Sequence, residues 1–104
     1  MTDSNTIFFT DTQDERPHPF TDKRIVFTGA LSRMTRSEAA RGARNCGAVI
    51  QGAVTQETDF VVLGKQRHNK STKQRKAEQL IGMGCDIQII AEEDFYWILS
   101  FGKE

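Results

Sequence analysis

Five residues of this chain could do chemistry together: Thr28, Gly29, Arg36, Lys73 and Lys76. Thr28 and Gly29 close a short apolar run, Ile25-Val26-Phe27, with a hydroxyl and a bare backbone amide. Arg36 lies inside Thr35-Arg36-Ser37-Glu38, a capping-box pattern, which puts its guanidinium in the first turn of a helix. Lys73 and Lys76 fall in the first turn and a half of a second helix that starts near Thr72. A hydroxyl, an exposed N–H, a guanidinium and an ammonium gathered at helix N-termini suit a phosphate. They do not suit hydrolysis or redox chemistry, because no Asp, Glu or His in these segments is placed as a base. The G-x-x-x-x-G-K-[ST] and G-x-G-x-x-G loops are both absent, which disfavours an ordinary nucleotide fold. Cations in the opening turns of helices oppose the helix dipoles unless an anion offsets them. Such local conflict is what a functional site produces. Plainer readings stand beside this one: Thr28 caps a strand end, Gly29 permits a turn, and Arg36 and Lys76 are solvated charges.

These residues need elements to position them. Arg24 to Thr28 reads as a buried parallel strand, β-branched and aromatic and bounded by a turn signal. A helix follows from about Arg36 to Cys46, with Ala39, Ala43 and Cys46 on one face and Gly47 at the C-cap. Ala48-Val49-Ile50 is a short second strand, and Phe60 to Leu63 a third, closed by Gly64. The second helix runs from Thr72 to about Met83, its buried stripe expected at Ala77, Leu80, Ile81 and Gly84. A fourth strand spans Ile87 to Ile90. The last helix starts at Glu92, with Glu92, Glu93 and Asp94 complementing its dipole and Phe95, Trp97, Ile98, Leu99 and Phe101 reading as core. The order β-α-β-β-α-β-α predicts an α/β fold, a mainly parallel sheet with helices on both faces. The first and second helices then both start at the carboxyl edge of the sheet, where α/β folds bind ligands.

The chain has 104 residues, enough for one small domain. No stretch approaches the roughly 20 apolar residues of a membrane span, and the polar opening is not a signal peptide. Cys46 and Cys85 read as reduced thiols in or near the core of an intracellular protein. With two Cys and two isolated His, His18 and His68, a zinc site is not expected. A net charge of zero hides an asymmetry: residues 1–22 carry −4 and residues 23–104 carry +4. Residues 1–21 read as an acidic linker or loosely docked arm, with Ile7, Phe8 and Phe9 as its candidate packing residues. Such an arm is expected where a domain is one piece of a longer polypeptide. Lys65, Arg67, Lys70, Lys73, Arg75 and Lys76 form a run of cations without an acid, which points to an anionic partner.

From about Asp22 to Ser100 the chain resembles a BRCT domain. The likeness rests on Lys23-Arg24-Ile25-Val26-Phe27-Thr28-Gly29, on Thr35-Arg36-Ser37-Glu38-Ala39 leading to Gly47, and on Thr58-Asp59-Phe60-Val61-Val62-Leu63-Gly64. It continues through Ser71-Thr72-Lys73-Gln74-Arg75-Lys76-Ala77 and Ile89-Ile90-Ala91-Glu92-Glu93-Asp94-Phe95. These segments are similar to the single modules of bacterial NAD-dependent DNA ligases, the large clamp-loader subunit, and exonucleases like the polymerase III epsilon subunit. Two departures stand out: Gly47-Ala48 replaces the usual Gly-Gly, and Phe95 takes the place of the signature tryptophan, with Trp97 two residues on. The resemblance implies a four-stranded parallel sheet of order 2-1-3-4 with three helices, in a domain over residues 22–104. It implies a phosphate pocket of Thr28, Gly29 and Lys76, joined by Arg36 in members that bind a DNA 5′-phosphate. Arg33, Lys70, Lys73 and Arg75 would then contact the DNA backbone, independent of sequence and sensitive to salt. The expectation is a non-catalytic, cofactor-free, monomeric DNA-binding module of a replication or repair protein in the bacterial cytoplasm, associated with the nucleoid. The alternative is a module for a protein or phosphopeptide partner.

Overall fold

The computed structural model describes residues 18–65 and 70–101. The Ile7-Phe8-Phe9 arm and Arg67 of the basic loop lie outside them. The elements are β1 (Arg24–Thr28), α1 (Arg36–Asn45), β2 (Val49–Gln51), β3 (Phe60–Leu63), α2 (Thr72–Gly82), β4 (Gln88–Ala91) and α3 (Glu92–Leu99). β2 and β4 each begin one residue later than expected. The sheet has four parallel strands in the order β2-β1-β3-β4, as the resemblance implied.

The two-residue period of β1 sorts its side chains between two cores. Ile25 and Phe27 face α1 and α3 and pack with Ala39, Ala40, Ala43, Val62, Phe95 and Leu99. Val26 faces α2 and packs with Val54, Val61, Ala77, Leu80 and Ile87. By the same alternation Thr28 is turned toward α2. α1 follows β1 on one face and α2 follows β3 on the other, so neighbouring β1 and β3 feed helices on opposite sides. That is a topological switch point, and it opens a crevice at the carboxyl ends of these two strands.

The starts of α1 and α2 are capped by side chains. Thr35 and Glu38 form a complete capping box, the Thr35 hydroxyl accepting from the Glu38 N–H and the Glu38 carboxylate from the Thr35 N–H. Ser71 caps α2 by accepting from the Gln74 N–H at 3.0 Å.

Several expectations about burial change. Phe20, assigned by sequence to the arm, is completely buried and stacks on Phe95 with ring centroids 5.6 Å apart. The packed part of the chain therefore begins before residue 22. Trp97, expected in the core, is 65% exposed and makes an edge contact with the exposed Phe101. α3 is only eight residues long, and its buried residues are Glu92, Phe95 and Leu99, a stripe that excludes position 97. Ile81 and Gly84, expected on the buried α2 stripe, are likewise exposed, because that stripe ends at Ala77 and Leu80.

Candidate functional site

The crevice between β1 and β3 is built on two close backbone approaches. Ala30 and Lys65 form an isolated antiparallel bridge just past the two strands. Gly29 has φ +83, and a Cβ there would lie 2.6 Å from the Lys65 carbonyl oxygen. A Cβ on Gly64 would lie 2.5 Å from the Ala30 oxygen. Both glycines are required by space, and Gly29 also by its left-handed conformation. Among the described residues the Gly29 N–H donates no hydrogen bond.

Around this turn the side chains converge. The Thr28 hydroxyl, almost fully buried, donates to Ser71 Oγ at 2.6 Å and so ties the end of β1 to the cap of α2. Ser71 Oγ accepts from both Thr28 and the Gln74 N–H, which leaves its own proton to donate. Arg36 donates from a terminal guanidinium nitrogen to the Gly29 carbonyl oxygen at 3.0 Å. Lys73 Nζ donates to the Phe27 carbonyl oxygen at 3.2 Å. Burial, and then the neighbouring Arg36 charge, push the Lys73 ammonium below the ordinary lysine value. Two cations are thus held close to one another on the carbonyls that flank Thr28.

Arg36 and Lys73 also line a cavity of about 340 Å³ with Ser37, Ala40 and Arg44 of α1, Phe27 of β1, and Ile50, Gln51 and Gly52 at the end of β2. No acidic side chain is in this lining. Among the described residues no group of His, Cys, Asp and Glu could hold a metal ion.

The remaining expected residues are placed differently. Lys76 is exposed and outside the cavity lining; Lys73, one turn earlier, occupies the corner with Arg36. Lys70 is paired with Glu78 at 3.0 Å, so part of its charge is already neutralised. Arg75 is exposed on α2. Arg33 lies 5.3 Å over the Tyr96 ring, and its N–H approaches the Tyr96 hydroxyl at 3.4 Å.

Two structural residues escaped the sequence reading. Ser71 caps α2, and a hydroxyl directly before the helix is the signal that could have found it. Glu92 was assigned to the α3 dipole, yet it is buried and accepts from the Ser32 N–H, the Ser32 hydroxyl at 2.6 Å and the Tyr96 hydroxyl. Those bonds, first from Ser32, hold its carboxyl below the usual carboxylate range. No local spacing pairs residue 32 with residue 92.

The sequence profile described as "BRCA1 C Terminus (BRCT) domain" matches residues 15–82. A DNA ligase of Syntrophus aciditrophicus is 42% identical over 85 residues, covering 82% of this chain and 12% of the ligase. A DNA ligase of Lactobacillus helveticus is 38% identical over 85 residues, covering 81% of this chain and 12% of that protein. The chain thus spans about an eighth of the length of these relatives. Among solved structures, the C-terminal BRCT domain of human XRCC1 superposes with a TM-score of 0.59 at 12% identity, covering 78% of each chain. That likeness is one of fold. A family profile over most of the chain, together with the parallel sheet of order β2-β1-β3-β4, makes this chain a member of the BRCT family.

Proposed function

We propose that this domain is a non-catalytic module that binds DNA ends or nicks by their 5′-phosphate. The observation that carries the reading is the pair of cations, Arg36 and Lys73, anchored on the Gly29 and Phe27 carbonyls with no carboxylate in the lining. In this reading the Gly29 N–H and the Ser71 hydroxyl complete the anion site, the Thr28 hydroxyl orients Ser71 by donating to it, and Lys73 takes the role that the resemblance gave to Lys76. Lys76, Arg75, Arg33 and Lys70 flank the site as backbone contacts, Lys70 with part of its charge offset by Glu78. The chemistry of joining or cutting DNA belongs to other parts of a longer, ligase-like protein of the bacterial cytoplasm, in which this module is monomeric.

The test is a titration of the 104-residue chain with short duplexes that differ only in their 5′-phosphate. Phosphorylated duplex is expected to bind about tenfold tighter, the scale of a charge-assisted hydrogen-bonded contact. Lys73→Met is expected to erase that preference while leaving a residual salt-sensitive affinity. Equal affinity of the wild-type chain for both duplexes would sink the proposal.

A protein-docking role draws on a separate surface, the exposed Trp97 and its partner Phe101. Amide shifts in the DNA titration separate the two readings: DNA end binding moves Gly29 and the start of α2 and leaves Trp97 still.

A further inference from the structure

The cavity beside the anion site is far larger than a phosphate. Its volume of about 340 Å³ lies within the range of small-molecule pockets. Its lining changes along its length. At one end stand the Arg36 guanidinium and the Lys73 ammonium. The middle is floored by apolar groups, Phe27, Ala40 and Ile50. Arg44 joins two turns further along α1, roughly 12 Å from Arg36 along the helix axis. On the opposite wall Gln51 is held in one orientation: its Oε1 accepts from the Thr58 hydroxyl at 2.8 Å, and the same Thr58 oxygen accepts from the Thr55 N–H. With the carbonyl end of the amide committed, the NH₂ end remains as a donor.

Cations at both ends, an apolar floor between them and a fixed amide donor match a nucleotide, not an isolated phosphate. We propose that the cavity takes the 5′-terminal nucleotide of a DNA strand. The 5′-phosphate sits at Arg36 and Lys73, the sugar and base lie over Ala40 and Ile50, and the Gln51 amide donates to the base edge. Arg44 meets the next phosphate of the strand. This inference rests on the phosphate reading above and extends it along α1 to the β2 edge.

The experiment compares three duplexes: 5′-phosphorylated, unphosphorylated, and 5′-phosphorylated with an abasic sugar as the terminal residue. Each is titrated into the wild-type chain and into Arg44→Gln and Gln51→Glu. Gln51→Glu keeps an acceptor for Thr58, so the fold is retained while the donor becomes a carboxylate; Arg44 is exposed, so its change is tolerated. The expected result is that the abasic end binds about tenfold more weakly than the complete one, the scale of taking roughly 55 Å² of base face off an apolar floor. Arg44→Gln should lower affinity for the complete end and reduce the salt slope by about one. Gln51→Glu should weaken the complete end more than the abasic end. If phosphorylation matters but the abasic and complete ends bind alike and both variants behave as wild type, the nucleotide inference is overturned and the phosphate reading stands. If phosphorylation makes no difference to the wild-type chain, both fall.

Discussion

At the scale of single residues, the site is defined by two neighbouring cations, Arg36 and Lys73, each held on a backbone carbonyl. Lys73 is pushed below the ordinary value of 10.5 by burial and by Arg36, so its charge is the weak point of the site. A bound phosphate opposes that shift and favours the protonated amine. Under the proposed function, affinity for a phosphorylated end is full while Lys73 is protonated and declines as pH rises through its lowered value. The preference for phosphorylated DNA is therefore expected to fade on the alkaline side before an ordinary lysine would titrate. Lys73→Arg, whose guanidinium stays charged, should remove that fade. Binding isotherms across alkaline pH decide it, and identical profiles for wild type and Lys73→Arg would exclude Lys73 as the phosphate's partner. Lys70 differs in being exposed and paired with Glu78 at 3.0 Å, a surface ion pair that solvent screening keeps weak.

At the scale of elements, the segment that carries Gly29 toward α1 is held down by α3. Glu92, the first residue of α3, accepts from the backbone and hydroxyl of Ser32 and from Tyr96, while Arg33 covers the Tyr96 ring. The loop between β1 and α1 is thus latched at its centre, between the Gly29 turn and the Thr35 cap. Glu92→Gln is expected to cost on the order of 1–3 kcal/mol at neutral pH, because it weakens charge-assisted bonds at a buried position. The carboxyl is lowered in the folded state from its ordinary 4.5. Its contribution is therefore complete above that value and is lost as pH falls through the folded one. Urea denaturation of wild type and Glu92→Gln should show a gap at pH 7 that closes in acid. A gap that stays constant would mean that the variant acts through packing instead.

At the scale of the whole molecule, the core extends further toward the amino end than residue types suggest. Phe20 is completely buried, edge-on to Phe60 at 5.3 Å and stacked on Phe95, which in turn meets Phe27 edge-on at 5.2 Å. Phe20 thus joins the outer end of the sheet to α3. Phe20→Ala is expected to cost roughly 3–5 kcal/mol, and a chain begun at Asp22 should lose a comparable amount. Thermal unfolding measures both; a melting temperature unchanged by Phe20→Ala would place the ring outside the cooperative core.

The elements themselves were legible in the amino-acid sequence because their signals are local. The hydrophobic runs of β1 and β3, the Thr35 capping box, and Thr28-Gly29 before a helix all act within a few residues. Strands alternating with helices then point to a mainly parallel sheet, whereas the strand order 2-1-3-4 followed from the family resemblance and not from any local signal. What the tertiary structure alone decided is which of several similar residues meet. Lys73 and Lys76 are alike in type and sit one turn apart; only the placement of α2 beneath the end of β1 brings Lys73 to the Phe27 carbonyl. Glu92 differs from Glu93 and Asp94 only because α3 docks beside Ser32. Phe20 outranks Ile7, Phe8 and Phe9 as a core residue only because it reaches Phe95. Local chemistry specifies that helices and strands form, but partners far apart in sequence are chosen by packing, which no spacing records.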